Sequence, residues 1–228
     1  MESFDAIIVG GGPAGSSCAW KLVRGGLIVL VLDKKAFPRV KPCAGWITPQ
    51  VVESLQLDEH DYRAGRVWQP ITGFRCGVIG GRDVEVRYER PISFGIRRYE
   101  FDDYLLRRSG AALSLAESVE AIERDGETWV INGRCKAPLL IGAGGHFCPV
   151  ARRLGARPEA AAVVYAQEAE YQADPEASGS VSAQMPALYF CPDLLGYGWC
   201  FRKADYLNVG LGRLDAKGLS SHVAAFCD

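Results

Sequence analysis

Apolar and polar residues follow different periods in different parts of the chain. Ala6-Ile7-Ile8-Val9 is an unbroken apolar run, short enough for a strand and apolar enough to be buried on both faces. Helical spacing follows, with Ala14, Cys18, Leu22 and Val23 on one face and Gly25-Gly26 as the stop. Leu27 to Leu32 is a second apolar strand, closing on Asp33. The pattern also predicts a helix over Thr48–Leu57, with Val51, Val52 and Leu55 inward, and another over 97–110 with Phe101, Leu105 and Leu106 on one face. Ala112–Leu115 reads as a strand. Pro138–Ile141 reads as a further buried strand running into Gly142-Ala143-Gly144-Gly145, with a short basic helix, Val150–Leu154, after it.

Elsewhere the period is two. Phe74, Cys76 and Val78, then Val84, Val86 and Tyr88, alternate around Gly80-Gly81-Arg82-Asp83, which predicts a β-hairpin. Ser118–Glu123 and Thr128–Ile131 flank Asp125-Gly126 in the same way. Beyond Ala161, the segments Ala161–Tyr171, Val181–Phe190, Tyr197–Phe201 and Tyr206–Gly212 are expected strands, and Ala216–Phe226 a closing helix. Tyr197, Trp199 and Phe201 alternate, so they share one sheet face, suited to packing or to lining an apolar pocket.

The turn after the first strand carries the most specific chemistry. Gly10, Gly12 and Gly15 have G-x-G-x-x-G spacing between a strand and a helix. Gly10 allows the tight turn, Gly12 lets backbone approach a pyrophosphate, and Gly15 lets the helix pack on the sheet. The helix start offers free N–H groups and partial positive charge to phosphates. Asp33 ends the second strand, where a carboxylate accepts ribose hydroxyls and repels a 2′-phosphate. This predicts FAD or NAD rather than NADP. The loop after Asp33 leaves the carboxyl end of a parallel strand, so its basic residues and Cys43 start close to that cofactor.

Composition narrows the classes. With 26 basic and 27 acidic residues, the chain has no electrostatic footprint for nucleic acid. No apolar run approaches a membrane span, and the N-terminus enters a strand directly, so no signal peptide is expected. Eight scattered cysteines form neither C-x-x-C nor a cluster with His at zinc spacing, so no metal site is expected and they read as reduced cytoplasmic thiols. His60, His146 and His222 are isolated and read as surface or packing residues.

The opening Asp5–Gly15 resembles the FAD-binding start of the p-hydroxybenzoate-hydroxylase-type flavoproteins. Arg98-Tyr99-Glu100-Phe101-Asp102 resembles their R-x-x-F-D helix, and Gly142-Ala143-Gly144-Gly145 with Arg152-Arg153 their second fingerprint. Lys41-Pro42-Cys43-Ala44-Gly45 is similar to the K-x-C-x-G loop of the geranylgeranyl-reductase-like branch, which in that family lies beside the flavin ring. Tyr197-Gly198-Trp199-Cys200-Phe201, with Gly210-Leu211-Gly212, is similar to its Y-x-W-x-F-P…G-x-G pocket motif.

The resemblance implies an α/β Rossmann-like FAD-binding domain (GR2-type) with an inserted antiparallel β substrate domain, C-terminally truncated. The FAD domain is expected over residues 1–66 and 97–157, and the β substrate region over 67–96 and 158–228. Cofactor contacts are expected at Gly10, Gly12, Pro13, Ala14, Gly15, Asp33, Lys34, Cys43, Ala44, Gly45, Arg98, Val119, Gly142, Ala143 and Gly144. Substrate contacts are expected at Tyr197, Trp199 and Phe201, with Cys43 as candidate catalytic residue. The implied activity is reduction of carbon–carbon double bonds of a hydrophobic isoprenoid-like substrate, with NAD(P)H or another reductant as electron donor and a peripheral membrane contact to reach lipid. A flavin monooxygenase or hydroxylase, or a truncated non-catalytic FAD-binding fragment, are the alternatives. Two motif positions depart from the family: Gly144 stands where it usually carries Asp, and Arg202 where it carries Pro.

Overall fold

A computed structural model of the protein describes residues 1–155, 163–173, 181–215 and 217–227. The chain divides into two compact units, Met1–Val40 with Tyr99–Glu159, and Lys41–Arg98 with Ala160–Asp228.

In the first unit four parallel strands lie in the order Leu139–Gly142, Ala6–Val9, Val29–Asp33, Ala112–Leu115. Their apolar runs are buried because alternate residues enter different layers. Ile7, Val9, Leu30 and Leu32 pack on Ile131, Cys135, Ala137, Cys148 and Val150. Ala6, Ile8, Val29 and Val31 pack on Ala19, Phe37 and Leu106. One face is therefore covered by a small sheet, ordered Glu2–Ser3, Cys135–Ala137, Thr128–Ile131, Ile122–Asp125. The other carries the helices Pro13–Arg24 and Arg98–Arg108. Asn132 replaces a backbone partner at the hairpin, its Oδ1 accepting the N–H groups of Glu120 and Ala121.

The first helix is turned slightly from its expected orientation. Its buried stripe is Gly15, Ser16, Ala19 and Trp20. Cys18, Leu22 and Val23 flank that stripe, and Ala14 is exposed. The helix touches the strand at Gly15, and this contact sets the stripe. Leu139–Gly142 is only half-buried, against expectation, because it pairs with Ala6–Val9 along one edge alone among the described residues.

The second unit is built on a six-stranded sheet in the order Tyr165–Gln172, Tyr206–Arg213, Gly196–Lys203, Ala187–Phe190, Gly73–Val78, Asp83–Arg87. All neighbours are antiparallel except Ala187–Phe190 on Gly73–Val78. Three short strands, Trp46–Ile47, Ser93–Gly95 and Gln69–Ile71, form a separate sheet. Residues 41–66, expected with the first unit, group with this one because Trp46–Ile47 pairs with Ser93–Gly95.

The helix expected over Thr48–Leu57 is shortened to Pro49–Ser54, and a separate helix, Glu59–Arg63, follows it. Gln56 has φ 47°, which ends the first piece, and the Asp58 carboxylate caps the second by accepting the Asp61 N–H at 3.0 Å. Val51, Val52 and Leu55 are half-buried at most; Leu57 and Tyr62 are the buried residues. Tyr62 meets Trp68, which stacks on Phe94 with ring centroids 4.3 Å apart. The strand expected over Val181–Phe190 is confined to Ala187–Phe190. Residues 161 and 162 and residue 216, placed by the sequence in a strand and a helix, lie outside the described residues. The helix Leu219–Cys227 follows, and among the described residues no helix is long and apolar enough to cross a membrane.

The two-sided burial of the first strand makes it the most sensitive packing position. Ile8 has no exposed surface. Ile8→Ala should lower unfolding free energy by about 2–5 kcal/mol, read by denaturant titration.

Candidate functional site

The glycine-rich turn is shaped by two close backbone approaches. A Cβ on Gly15 would stand 1.8 Å from the Gly10 carbonyl oxygen, and one on Gly10 2.4 Å from that of Ala143. Gly10 also has φ 115°, a conformation that side-chain-bearing residues avoid. Gly12 differs. Its backbone is extended, with φ −70° and ψ −178°, and a Cβ there would meet only the Arg39 guanidinium, at 3.4 Å. The turn therefore needs no glycine at 12 for its own sake. Space is kept open beside the start of a 12-residue helix whose first N–H groups lie outside its ladder, as a bound diphosphate requires.

Two charged groups border this space. Arg39 lies on the Phe37 ring, 4.8 Å from its centroid, and pairs with Asp102 at 3.2 Å. The Asp102 side chain is fully buried and that of Arg39 is 17% exposed, so the pair is held mostly away from water. Asp33 Oδ2 accepts the Gly11 N–H at 2.7 Å, and Oδ1 the Lys35 N–H at 2.9 Å. The carboxylate thus fastens the glycine turn to the end of the second strand. Each of its oxygens keeps a lone pair for a ribose hydroxyl.

A cavity of about 260 Å³ opens at the carboxyl ends of the parallel strands. It is lined by Gly10, Asp33, Lys34, Val119 and Gly144 of the expected cofactor set, with Glu117, Phe147 and Arg152. Gly142 and Ala143 do not line it; Ala143 donates its N–H to the Val9 carbonyl at 2.8 Å and supports the turn from behind. Pro13 is the first residue of the helix, and Arg98 opens the helix Arg98–Arg108, half-buried.

The second unit carries an apolar cavity of about 480 Å³, lined by Pro42, Cys43, Ala44, Trp46, Ala166, Glu168, Leu188, Phe190, Tyr197, Trp199 and Phe201. Strand register explains its wall. Leu188 and Phe190 lie opposite Trp199 and Tyr197 on one side. Gly210 and Gly212 lie opposite the same two residues on the other side, and Glu168 and Ala166 beyond them. Gly210 leaves the room that the indole occupies: a Cβ there would stand 2.4 Å from Trp199 Cζ2 and 2.6 Å from Glu168 Cβ. The Y-x-W-x-F and G-x-G motifs are thus two halves of one surface.

Buried polar groups fix the Cys43–Gly45 loop to this wall. Trp199 Nε1 donates to Asn208 Oδ1 at 2.7 Å, and Asn208 Nδ2 donates to the Cys43 carbonyl at 3.3 Å. Lys203 is fully buried; its Nζ donates to the carbonyls of Ala44 at 3.0 Å and Ile96 at 3.2 Å and is paired with Glu170. Glu170 also accepts from Arg97 Nε at 3.0 Å, and that guanidinium covers the Tyr206 ring. A buried ammonium needs such partners, since desolvation alone would expel it.

Cys43, Ala44 and the three aromatics therefore line one cavity. The placement of Arg39 on Asp102, and the roles of Glu168, Lys203 and Asn208, are not legible from motif spacing. The one available signal was polar residues at inward positions of alternating strands: Glu168 and Glu170 two apart, and Asn208 and Lys203 in otherwise apolar runs.

Strand, glycine turn, helix and acid-terminated strand define a Rossmann-type dinucleotide-binding unit. Residues 8–67 match the family described as NAD(P)-binding Rossmann-like domain. The chain is 30% identical over 223 residues to geranylgeranyl diphosphate reductase of Rhodobacter capsulatus, covering 92% of this chain and 54% of that protein. It is 32% identical over 234 residues to menaquinone reductase of Mycobacterium tuberculosis, covering 93% and 56%. The chain spans about half the length of the curated relatives it matches. A geranylgeranyl bacteriochlorophyll reductase-like protein of Thermoplasma acidophilum shares the fold, with TM-score 0.79 at 18% identity over 99% of this chain and 62% of that one. The resemblance to geranylgeranyl-reductase-like flavoproteins is thus matched by homologous reductases of that kind.

The two glycines should separate by experiment. Gly15→Ala forces backbone apart and should cost about 1–3 kcal/mol of stability. Gly12→Leu should unfold like the parent in the same denaturant titration and fail to retain a dinucleotide on dialysis.

Proposed function

We propose that this chain supplies the cofactor cradle and the substrate pocket of an FAD-dependent reductase acting on carbon–carbon double bonds of an isoprenoid-like substrate. The observation that carries the reading is the aromatic pocket whose wall includes the pinned Cys43–Gly45 loop. In the family that this loop resembles, it lies beside the flavin ring.

The open space at Gly12 and the cavity at Asp33 and Val119 suit an adenine dinucleotide. FAD, when bound, supplies hydride chemistry. The N–H groups of the first helical turn and the Arg39 guanidinium would hold the diphosphate. Asp33 would accept the ribose hydroxyls, and the Val119 segment would border the adenosine. Trp199, Phe201, Leu188 and Phe190 would bind the prenyl chain and exclude water from it. Cys43 places a thiol on the same wall, as a proton-bearing group or as part of the pocket's shape. The electron donor is read as NAD(P)H or another reductant, and the compartment as the cytoplasm, with peripheral membrane contact for lipid substrates.

The test is anaerobic. The chain loaded with FAD and bleached by dithionite should regain its absorbance when geranylgeraniol or menaquinone is added, with a saturated product by mass spectrometry. In a separate run under air, substrate-stimulated oxygen consumption with a hydroxylated product would replace the reading with a monooxygenase. Failure of either compound to reoxidise the flavin, with no oxygen consumption, would overturn it.

A further inference from the structure

Glu168 is a carboxyl on the wall of an otherwise largely apolar pocket. It sits on the strand Tyr165–Gln172 across Gly210 from Trp199, with its Cβ beneath the indole edge. The Asn208 amide and the Cys43 N–H favour its ionised form, and Asn208 is itself tied to Trp199 and to the Cys43 carbonyl. Unlike Glu170, which is neutralised by Lys203 and Arg97, Glu168 forms no salt bridge among the described residues and borders the cavity. Ligand binding would strip the remaining water from it.

Resting on the reading of this pocket as an isoprenoid site, we propose that Glu168 is its specificity-determining group: in the neutral form it donates a hydrogen bond to an uncharged oxygen of an otherwise apolar chain, so that ligand binding takes up a proton. The ligand class is a neutral prenyl alcohol or quinone.

The local electrostatics agree. Burial pushes the carboxyl up from its ordinary value; the Asn208 amide, the Cys43 N–H and Lys203 pull it down, and Glu170 adds to the rise. The groups facing it are few. Cys43 comes from the loop, Glu170 from its own strand, and Lys203 and Tyr197 from the aromatic strand, while Asn208 on the intervening strand is uncharged. Glu168 also borders a second cavity, where Arg75 and Tyr189 lie, with Cys200 and with Cys227 of the closing helix. Burial pushes Cys200 up to about 11, so it stays neutral in the range tested.

The sign follows from linkage. A ligand that prefers the neutral carboxyl binds best below the carboxyl's pKa in the free protein and weakens as pH rises through it. Binding of geranylgeraniol would be measured by titration calorimetry from about pH 4 to pH 9 in buffers of different ionisation enthalpy, starting near the ordinary carboxyl value and running upward, the direction in which burial moves Glu168. The parent should lose affinity with pH, at a slope of up to about tenfold per pH unit, with uptake of up to about one proton. Glu168→Gln, which keeps a neutral donor of similar shape, should bind independently of pH, near the parent's low-pH affinity. Equal pH dependence and proton uptake in both proteins, or pH-independent binding by the parent, would overturn the role of Glu168 alone. Absence of binding by both proteins at every pH would instead overturn the pocket reading on which it rests.

Discussion

The contact between Gly15 and the Gly10 carbonyl is the constraint on which the first unit depends. At that separation only hydrogen fits. The contact lets the first helix lie on the first strand, which fixes the buried stripe of Gly15, Ser16, Ala19 and Trp20 and aims the helix start at the carboxyl ends of the sheet. Asp33 then closes the turn from the second strand through the Gly11 N–H. The space at Gly12 follows from these two contacts. Site and fold are one piece of geometry here, because the helix that covers the sheet is also the helix that offers its amino end to a ligand.

The second unit solves a different problem, which is to hold a loop against an apolar wall. Backbone carbonyls of a loop beside aromatic rings would otherwise lose water without gaining partners. Lys203 and Asn208 supply those partners from within adjacent strands. The same Asn208 receives the Trp199 N–H, so the ring that lines the pocket and the loop that closes it are oriented by one side chain. Removing it would disturb both, which ties the shape of the pocket to the position of the Cys43 loop.

Much of the first unit was legible in the sequence because its signals are local. Four apolar residues, a glycine spacing, a helical period and a terminal acid each follow from one stretch of chain. Asp33 shows the limit of such reading. Its place at the strand end was visible, but not that its oxygens already hold Gly11 and Lys35. The helix expected over Thr48–Leu57 ends early because a left-handed Gln56 competes with apolar periodicity, and the Asp58 cap starts a further helix that the periodicity did not show. The grouping of residues 41–66 was missed because it depends on pairing between Trp46–Ile47 and Ser93–Gly95, a non-local contact. The pocket motifs were visible as separate patterns. Register alone reveals that Gly210 makes room for Trp199 and sets Glu168 beside it.

The account stands or falls on the cradle at Gly12, and a crystal structure of the chain grown with excess FAD tests it most directly. The diphosphate is predicted to lie across the first turn of the helix Pro13–Arg24, within hydrogen-bond distance of its N–H groups and of Arg39, with the ribose on Asp33. Flavin bound elsewhere on the chain, or a cradle holding only solvent while flavin is in excess, would contradict it.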